Sequence, residues 1–378
     1  MQDNVPMRAI SLFLLLAVCL ASGQPQRTVT DAMVREITKS ALLIDTHNDV
    51  TSRTVEGFDI SKAATDGHTD LPRLRAGGVG AVFFAVYVAA DYAKTNSSAN
   101  RALNMIDTVR HDIVAAHPDD FQFATTADGI EAAHKQGKIA ALMGIEGGHA
   151  IEDSPRLLRD FYALGVRYMT LTHTNTNGWA DSSGDQNDAG VKHHNGLNEL
   201  GRKIIAEMNR LGMIVDISHV ADKTFWDVME VSKAPPFASH SSSRALANHP
   251  RNMTDEMIQA LGKKGGVVQI NFNCGFLSQK TIDAQKGQPA NAKPVPATLA
   301  DVVAHIDHVV KLAGINSVGI GSDFDGVGCT PTGLEDVSKY PNLTRALLEK
   351  GYKADDIRKI YGVNTLRLLR AVEKARGL

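Results

Sequence analysis

The chain has 378 residues, 43% hydrophobic and 22% charged, with a formal net charge of −2. Near-neutral charge excludes the electrostatic footprint of a nucleic-acid or anionic-membrane binder. The length allows one large domain or two smaller ones.

The first element is a targeting segment. Arg8 precedes AISLFLLLAVCLASG, an apolar run too short for a bilayer span of roughly 20 residues and built like a secretory signal. Ala21-Ser22-Gly23 offers the cleavage site. The expected division is therefore a signal peptide at 1–23 and a single catalytic domain at 24–378, in an exported protein, periplasmic or secreted. A lipoprotein cysteine at Cys19 is the alternative, with the bulk of Val18 against it. After cleavage only Cys274 and Cys329 remain. Export permits a disulfide between them, but their spacing does not argue for one, and two buried thiols read equally well.

Short apolar, β-branched runs then alternate with amphipathic stretches. The runs lie at 41–47, 79–88, 139–147, 166–173, 213–219, 236–240, 266–273 and 317–325. Between them NRALNMIDTVRHDIVAAH, NELGRKIIAEMNRLG, DKTFWDVMEVS and LADVVAHIDHVVKLAG repeat apolar residues at helical spacing. Strands alternating with helices imply parallel pairing. A count of eight predicts a closed (β/α)8 barrel of the TIM type, about 250 residues plus insertions. A doubly wound open sheet is the runner-up, but no glycine-rich phosphate loop follows the first strand.

The strand ends carry the chemistry. His47 and Asp49 close the first run, Glu146 the third and His173 the fourth. His219 closes the fifth, His240 the sixth and Asp323 the eighth. In a barrel these ends form one rim, where catalytic groups gather. Imidazoles with carboxylates suit zinc, and ligands from separate strands can hold two ions about 3.5–4 Å apart. Glu146 is the expected bridge, with Gly144, Gly147 and Gly148 leaving room for close metal approach. A bridging water then yields hydroxide near neutral pH, as hydrolysis requires. Asp323 and His173 are available for proton transfer and oxyanion stabilisation, and Arg251 for clamping a substrate carboxylate.

Other residues read as bystanders. His68-Thr69-Asp70 precedes a strand and belongs to the opposite rim or a surface turn. His305 and His308 share a helix face as an exposed pair, His193-His194 lies in a polar loop, and Trp179 is a packing anchor. Asp325 competes with Asp323 for the site. The long segment 274–297 after the seventh strand is a candidate lid.

IDTHND and DLPRLRAGGVGAVFFAVYV resemble the opening of the membrane (renal) dipeptidase family of zinc peptidases. GIEGGHAIE, GVRYMTLTHTNTNGWADS, GLNELGRKIIAEMNRLGMIVDISH, FASHSSSRALANHPRNMTDEMI, VGIGSDFDG and YGVNTLRLL continue it in order, from about 40 to 370. The resemblance implies two Zn2+ per subunit. His47 and Asp49 would bind the first, His219 and His240 the second, and Glu146 would bridge. It implies that His173 contacts the substrate, Arg251 receives the dipeptide's terminal carboxylate and Asp323 shuttles the proton. The family it resembles cleaves dipeptides, often tolerating a C-terminal D-residue, and some of its members open β-lactam rings. The charged C-terminus RLLRAVEKARGL lacks a lipid-anchor signal, and the vertebrate members' cysteines have no counterparts here. No transmembrane segment is expected, and a non-covalent homodimer stays open. Two rival readings share the residues: an amidase or deaminase on the same scaffold, without need of Arg251, and a periplasmic binding module without turnover.

Overall fold

The computed structural model describes residues 2, 28–289 and 292–377; the apolar run expected to be a signal, with Cys19, lies outside the described residues. All eight predicted runs form strands, and a ninth joins them. In chain order they are β1 (Leu43–Asn48), β2 (Val79–Tyr87), β3 (Phe121–Phe123), β4 (Ile139–Glu146) and β5 (Val166–Thr170). β6 (Ile214–Asp216), β7 (Phe237–Ala238), β8 (Val267–Ile270) and β9 (Val318–Ile320) follow. Every pairing is parallel, and the order β1-β2-β4-β5-β6-β7-β8-β9 returns to β1. The result is the closed TIM-type barrel the alternation predicts. β3 stands outside the ring, paired to the first half of β4 through Phe121↔Ile139 and Phe123↔Ala141.

Helices between the strands form where periodicity and capping agree. In Glu199–Leu211 the Asn198 side chain accepts from the Gly201 N–H, Ile204, Ile205 and Met208 are buried, and left-handed Gly212 ends the helix. Inside the barrel the Phe83, Tyr168 and Phe237 rings come from strands that are not neighbours. Their centroids nevertheless lie 5.5 and 5.3 Å apart, so they fill the interior and leave no pore. No helix of the described residues is long and apolar enough to cross a membrane.

One helix corrects an expectation. His305 is not half of an exposed pair; it is fully buried, while His308 bonds Asp255 at 2.7 Å. The His305 Nδ1 accepts from the Ser243 N–H and its Nε2–H donates to the Leu277 carbonyl, each at 3.0 Å. It thus ties the loops that follow β7 and β8. Burial pushes its pKa down to about 4, whereas an unfolded histidine titrates near 6.5. Between these values the unfolded chain takes up a proton that the folded chain refuses. Stability from this group is complete above pH 6.5 and falls as pH drops towards 4, by up to about 3 kcal/mol. Thermal melts of wild type and His305→Gln should therefore converge as pH falls from 7 to 4. A constant gap between them would reject the assignment.

Candidate metal centre

Parallel strands deliver their carboxyl ends to one rim, and the register aligns what stands there. Tyr87 of β2 pairs with Glu146 of β4, Glu146 with Thr170 of β5, and Thr170 with Asp216 of β6. His173, His219, His240 and Asp323 lie two or three residues beyond the ends of β5, β6, β7 and β9. At the seam, the Asp49 N–H donates to the Phe324 carbonyl at 2.8 Å and the Asp323 N–H to the His47 carbonyl at 3.0 Å.

Glu146 is the hub. Its Oε1 lies 3.0 Å from His219 Nε2, 3.2 Å from His240 Nε2 and 3.9 Å from His173 Nε2. Its Oε2 lies 3.5 Å from His47 Nε2, which is itself 3.2 Å from Asp49 Oδ2. Three sets of ligand atoms converge within 4.8 Å: His47-Glu146-His240, Glu146-His173-His219 and His47-Asp49-Asp323. His47 Nε2 and Asp49 Oδ2 are buried without a hydrogen-bond partner. Buried polar atoms that converge but do not satisfy one another are the arrangement a cation completes. Nitrogen and oxygen donors in this mixture suit a divalent transition metal.

The electrostatics agree. Burial opposes the Glu146 charge, but His47, His173 and the adjoining imidazoles of His219 and His240 outweigh it and hold the carboxyl well below its usual range. Burial holds His219 and His240 well below theirs. Burial works against charge on His47 too, yet Tyr168, Glu146 and Asp49 raise it well above the usual value. The two carboxylates demand a positive charge between them, which falls on this imidazole and which a metal cation would supply instead. Asp323 is raised well above the carboxylate range by burial and by the charges of Asp49 and Glu146.

A cleft of about 350 Å³ opens over the cluster, lined by Asp49, Tyr87, Glu146, His173, His219, Phe276 and Asp323 among others. That volume is at the lower end of small-molecule sites. Arg251 is buried at its margin beside His219, where its Nη2 donates to the His240 carbonyl at 3.0 Å and its guanidinium lies 5.3 Å over the Phe276 ring. Burial lowers its pKa to about 10, which leaves it cationic at neutral pH.

The sequence expectations fare unevenly in detail. All eight candidate residues gather at the rim. Asp45, from the same polar strand end, turns away to accept from Ser322 Oγ at 2.6 Å. Asp325 also turns away, towards the His68 N–H at 2.9 Å and Arg53, so Asp323 is the acid at the cluster. His68 thereby sits against the β9 end rather than on the opposite rim. The glycines around Glu146 make room for side chains rather than for metal. A Cβ at Gly144 would lie 1.9 Å from Tyr168 Cζ, and one at Gly148 would lie 2.5 Å from Trp179 Cζ2. Trp179 is the fully buried anchor expected. Cys274 and Cys329 form a disulfide. It joins the loop carrying Asn273 and Phe276 to the loop carrying Asp323 and Val327, two walls of the cleft. Sequence reasoning missed Asn271, whose Nδ2 donates to Asp323 Oδ2 at 2.8 Å, and Tyr168, whose hydroxyl lies 2.8 Å from His47 Nδ1. Both read as ordinary strand residues.

The sequence profile of the membrane dipeptidase family (peptidase family M19) matches residues 31–377. An uncharacterized dipeptidase of Schizosaccharomyces pombe is 36% identical over 367 residues, covering 92% of this chain and 84% of its own. Dipeptidase tcpJ of Claviceps purpurea is 40% identical over 313 residues, covering 81% and 70%. Among solved structures, the probable dipeptidase PvdM from Pseudomonas aeruginosa shares the fold with a TM-score of 0.81 at 24% identity, over 91% of this chain and 98% of that one. A metallo peptidase from Rhodobacter sphaeroides, liganded with a phosphinate mimic of the dipeptide L-Ala-D-Ala, gives 0.75 at 29% identity over 88% and 99%.

Proposed function

The chain belongs to the membrane dipeptidase family, and from that premise we propose that it is an exported, zinc-dependent dipeptidase acting on dipeptides that include a C-terminal D-residue. The observation that carries the proposal is the closing of His47, Asp49, Glu146, His219 and His240 around one point beneath a small cleft. His47 and Asp49 would hold one zinc, His219 and His240 the other, with Glu146 between them. When bound, the metal pair polarises the peptide carbonyl and makes water nucleophilic at neutral pH. The remaining work falls to the chain's own groups. Arg251 holds the substrate's terminal carboxylate, which fixes the scissile bond over the cluster and admits only one residue beyond it. His173, kept below its ordinary pKa by burial, offers an N–H to the carbonyl oxygen as charge develops there. Asp323 takes the proton that the attacking water gives up and returns it to the leaving amine. The likeness to a peptidase liganded with an L-Ala-D-Ala mimic supports the acceptance of a C-terminal D-residue.

Dialysis of the purified protein against a chelator should abolish dipeptide hydrolysis, and added zinc should restore it. Activity that survives complete metal removal would end the proposal. A panel of L,L and L,D dipeptides tests the stereochemical reading, which fails if only L,L substrates turn over. Arg251→Leu should raise KM by roughly 100-fold, the worth of a charge-assisted bidentate contact, with kcat little changed. Wild type should likewise discriminate against a C-terminal dipeptide amide. Equal turnover of acid and amide would favour the amidase reading.

A further inference from the structure

Behind the cluster, on the side away from the cleft, His47 and His240 each meet one hydroxyl. The Tyr168 hydroxyl lies 2.8 Å from His47 Nδ1 and 3.1 Å from the Thr46 carbonyl. A carbonyl only accepts, and the phenol owns one proton. Both contacts are satisfied together only if the phenol donates to Thr46 and the His47 Nδ1–H donates to the phenol. Ser239 repeats the arrangement. Its hydroxyl donates to Asp216 Oδ2 at 2.6 Å and lies 2.7 Å from His240 Nδ1. The same carboxylate accepts from the Thr170 hydroxyl at 2.5 Å and from the Ser239 and Ser218 N–H groups at 2.8 and 3.1 Å. With the serine proton committed to Asp216, the His240 Nδ1–H must donate to Ser239.

Each imidazole is thus held with a proton on Nδ1, which leaves Nε2, the atom aimed at Glu146, as the position that offers a metal its lone pair. The barrel is built to place these hydroxyls. The Tyr168 ring packs among Phe83 and Phe237, passing where β4 has Gly144 in place of a side chain. Only its oxygen reaches the site. We infer that Tyr168, and Ser239 backed by Asp216, are positioning residues that fix the tautomers of His47 and His240 and thereby set how tightly the chain holds zinc. The inference rests on the metal-site reading above. Without the acceptor at Nδ1, either imidazole can shift its proton to Nε2 and donate it to Glu146, masking the lone pair that a metal needs.

The test starts from metal-loaded full-length protein and follows zinc transfer to a chromophoric chelator at equilibrium. Tyr168→Phe removes one oxygen and keeps the ring. Ser239→Ala removes the second acceptor, and Ser239→Thr keeps a hydroxyl. Tyr168→Phe and Ser239→Ala should each weaken zinc binding about 10- to 100-fold, while Ser239→Thr stays near wild type. Melting of the zinc-free proteins reports structural damage separately. If Tyr168→Phe does not fold, the Ser239 pair decides: Ala and Thr variants of equal affinity overturn the inference. Wild-type affinity in both Tyr168→Phe and Ser239→Ala overturns it as well. Wild type that binds no zinc refutes the metal-site reading itself, a distinguishable outcome.

Discussion

Glu146→Gln is expected to strip the site of metal and to cut kcat/KM for dipeptides by about 10²- to 10⁴-fold. The substitution keeps the shape, removes the charge and turns one acceptor oxygen into a donor. Glu146 is 4% exposed, and four imidazole nitrogens lie between 3.0 and 3.9 Å of its oxygens. Removing one partner from a buried charged set costs roughly 3–5 kcal/mol, because the others stay desolvated without compensation. At 1.36 kcal/mol per decade this is about 10²- to 10⁴-fold. The imidazoles that now hold Glu146 ionised would face an amide whose NH₂ repels the cation it should bind. Elemental analysis of the purified variant, beside turnover, checks both halves. A Glu146→Gln protein that keeps its full metal content would show that the carboxylate is no bridge.

The sequence made the barrel legible because each of its eight strands is an apolar run set off by polar ends. β3 escaped notice for the opposite reason. Phe121–Phe123 is three residues long, with Gln122 at its centre, and it pairs outside the ring. The candidate ligands were legible because His, Asp and Glu at the ends of buried strands contradict the local pattern. Tyr168 does not contradict it: in VRYMT it reads as one more core aromatic, and its task is set by a histidine 121 residues away. Asp216 hides likewise, since its four donors come from three different loops and strands. His305 was misread because helical spacing shows which residues share a face but not which face the neighbouring loops cover. Cys274 and Cys329 are 55 residues apart, and only the adjacency of the β8 and β9 loops brings them together.

Asp323→Asn should lower kcat by about 10²- to 10⁴-fold, the usual worth of a positioned proton donor, with metal retained and KM nearly constant. His47, Asp49 and Glu146 all remain, so the cluster keeps its ligands. The asparagine can still meet Asn271, the Asp323 partner at 2.8 Å. What disappears is a carboxyl that burial and the charges of Asp49 and Glu146 dispose to carry a proton. Its backbone lies in the left-handed region, with φ of 64°. A side chain at Gly326 would come within 2.4 Å of both Asp323 Oδ1 and Asp49 Oδ2, so the turn tolerates little else there. The size of the loss should depend on the leaving group. An amine cannot depart from the tetrahedral centre without a proton, whereas the alkoxide of a depsipeptide analogue departs more readily. The variant should therefore lose much less against the ester than against the dipeptide. Equal losses on both substrates would move Asp323 from proton transfer to substrate or metal binding, and metal analysis with KM would say which.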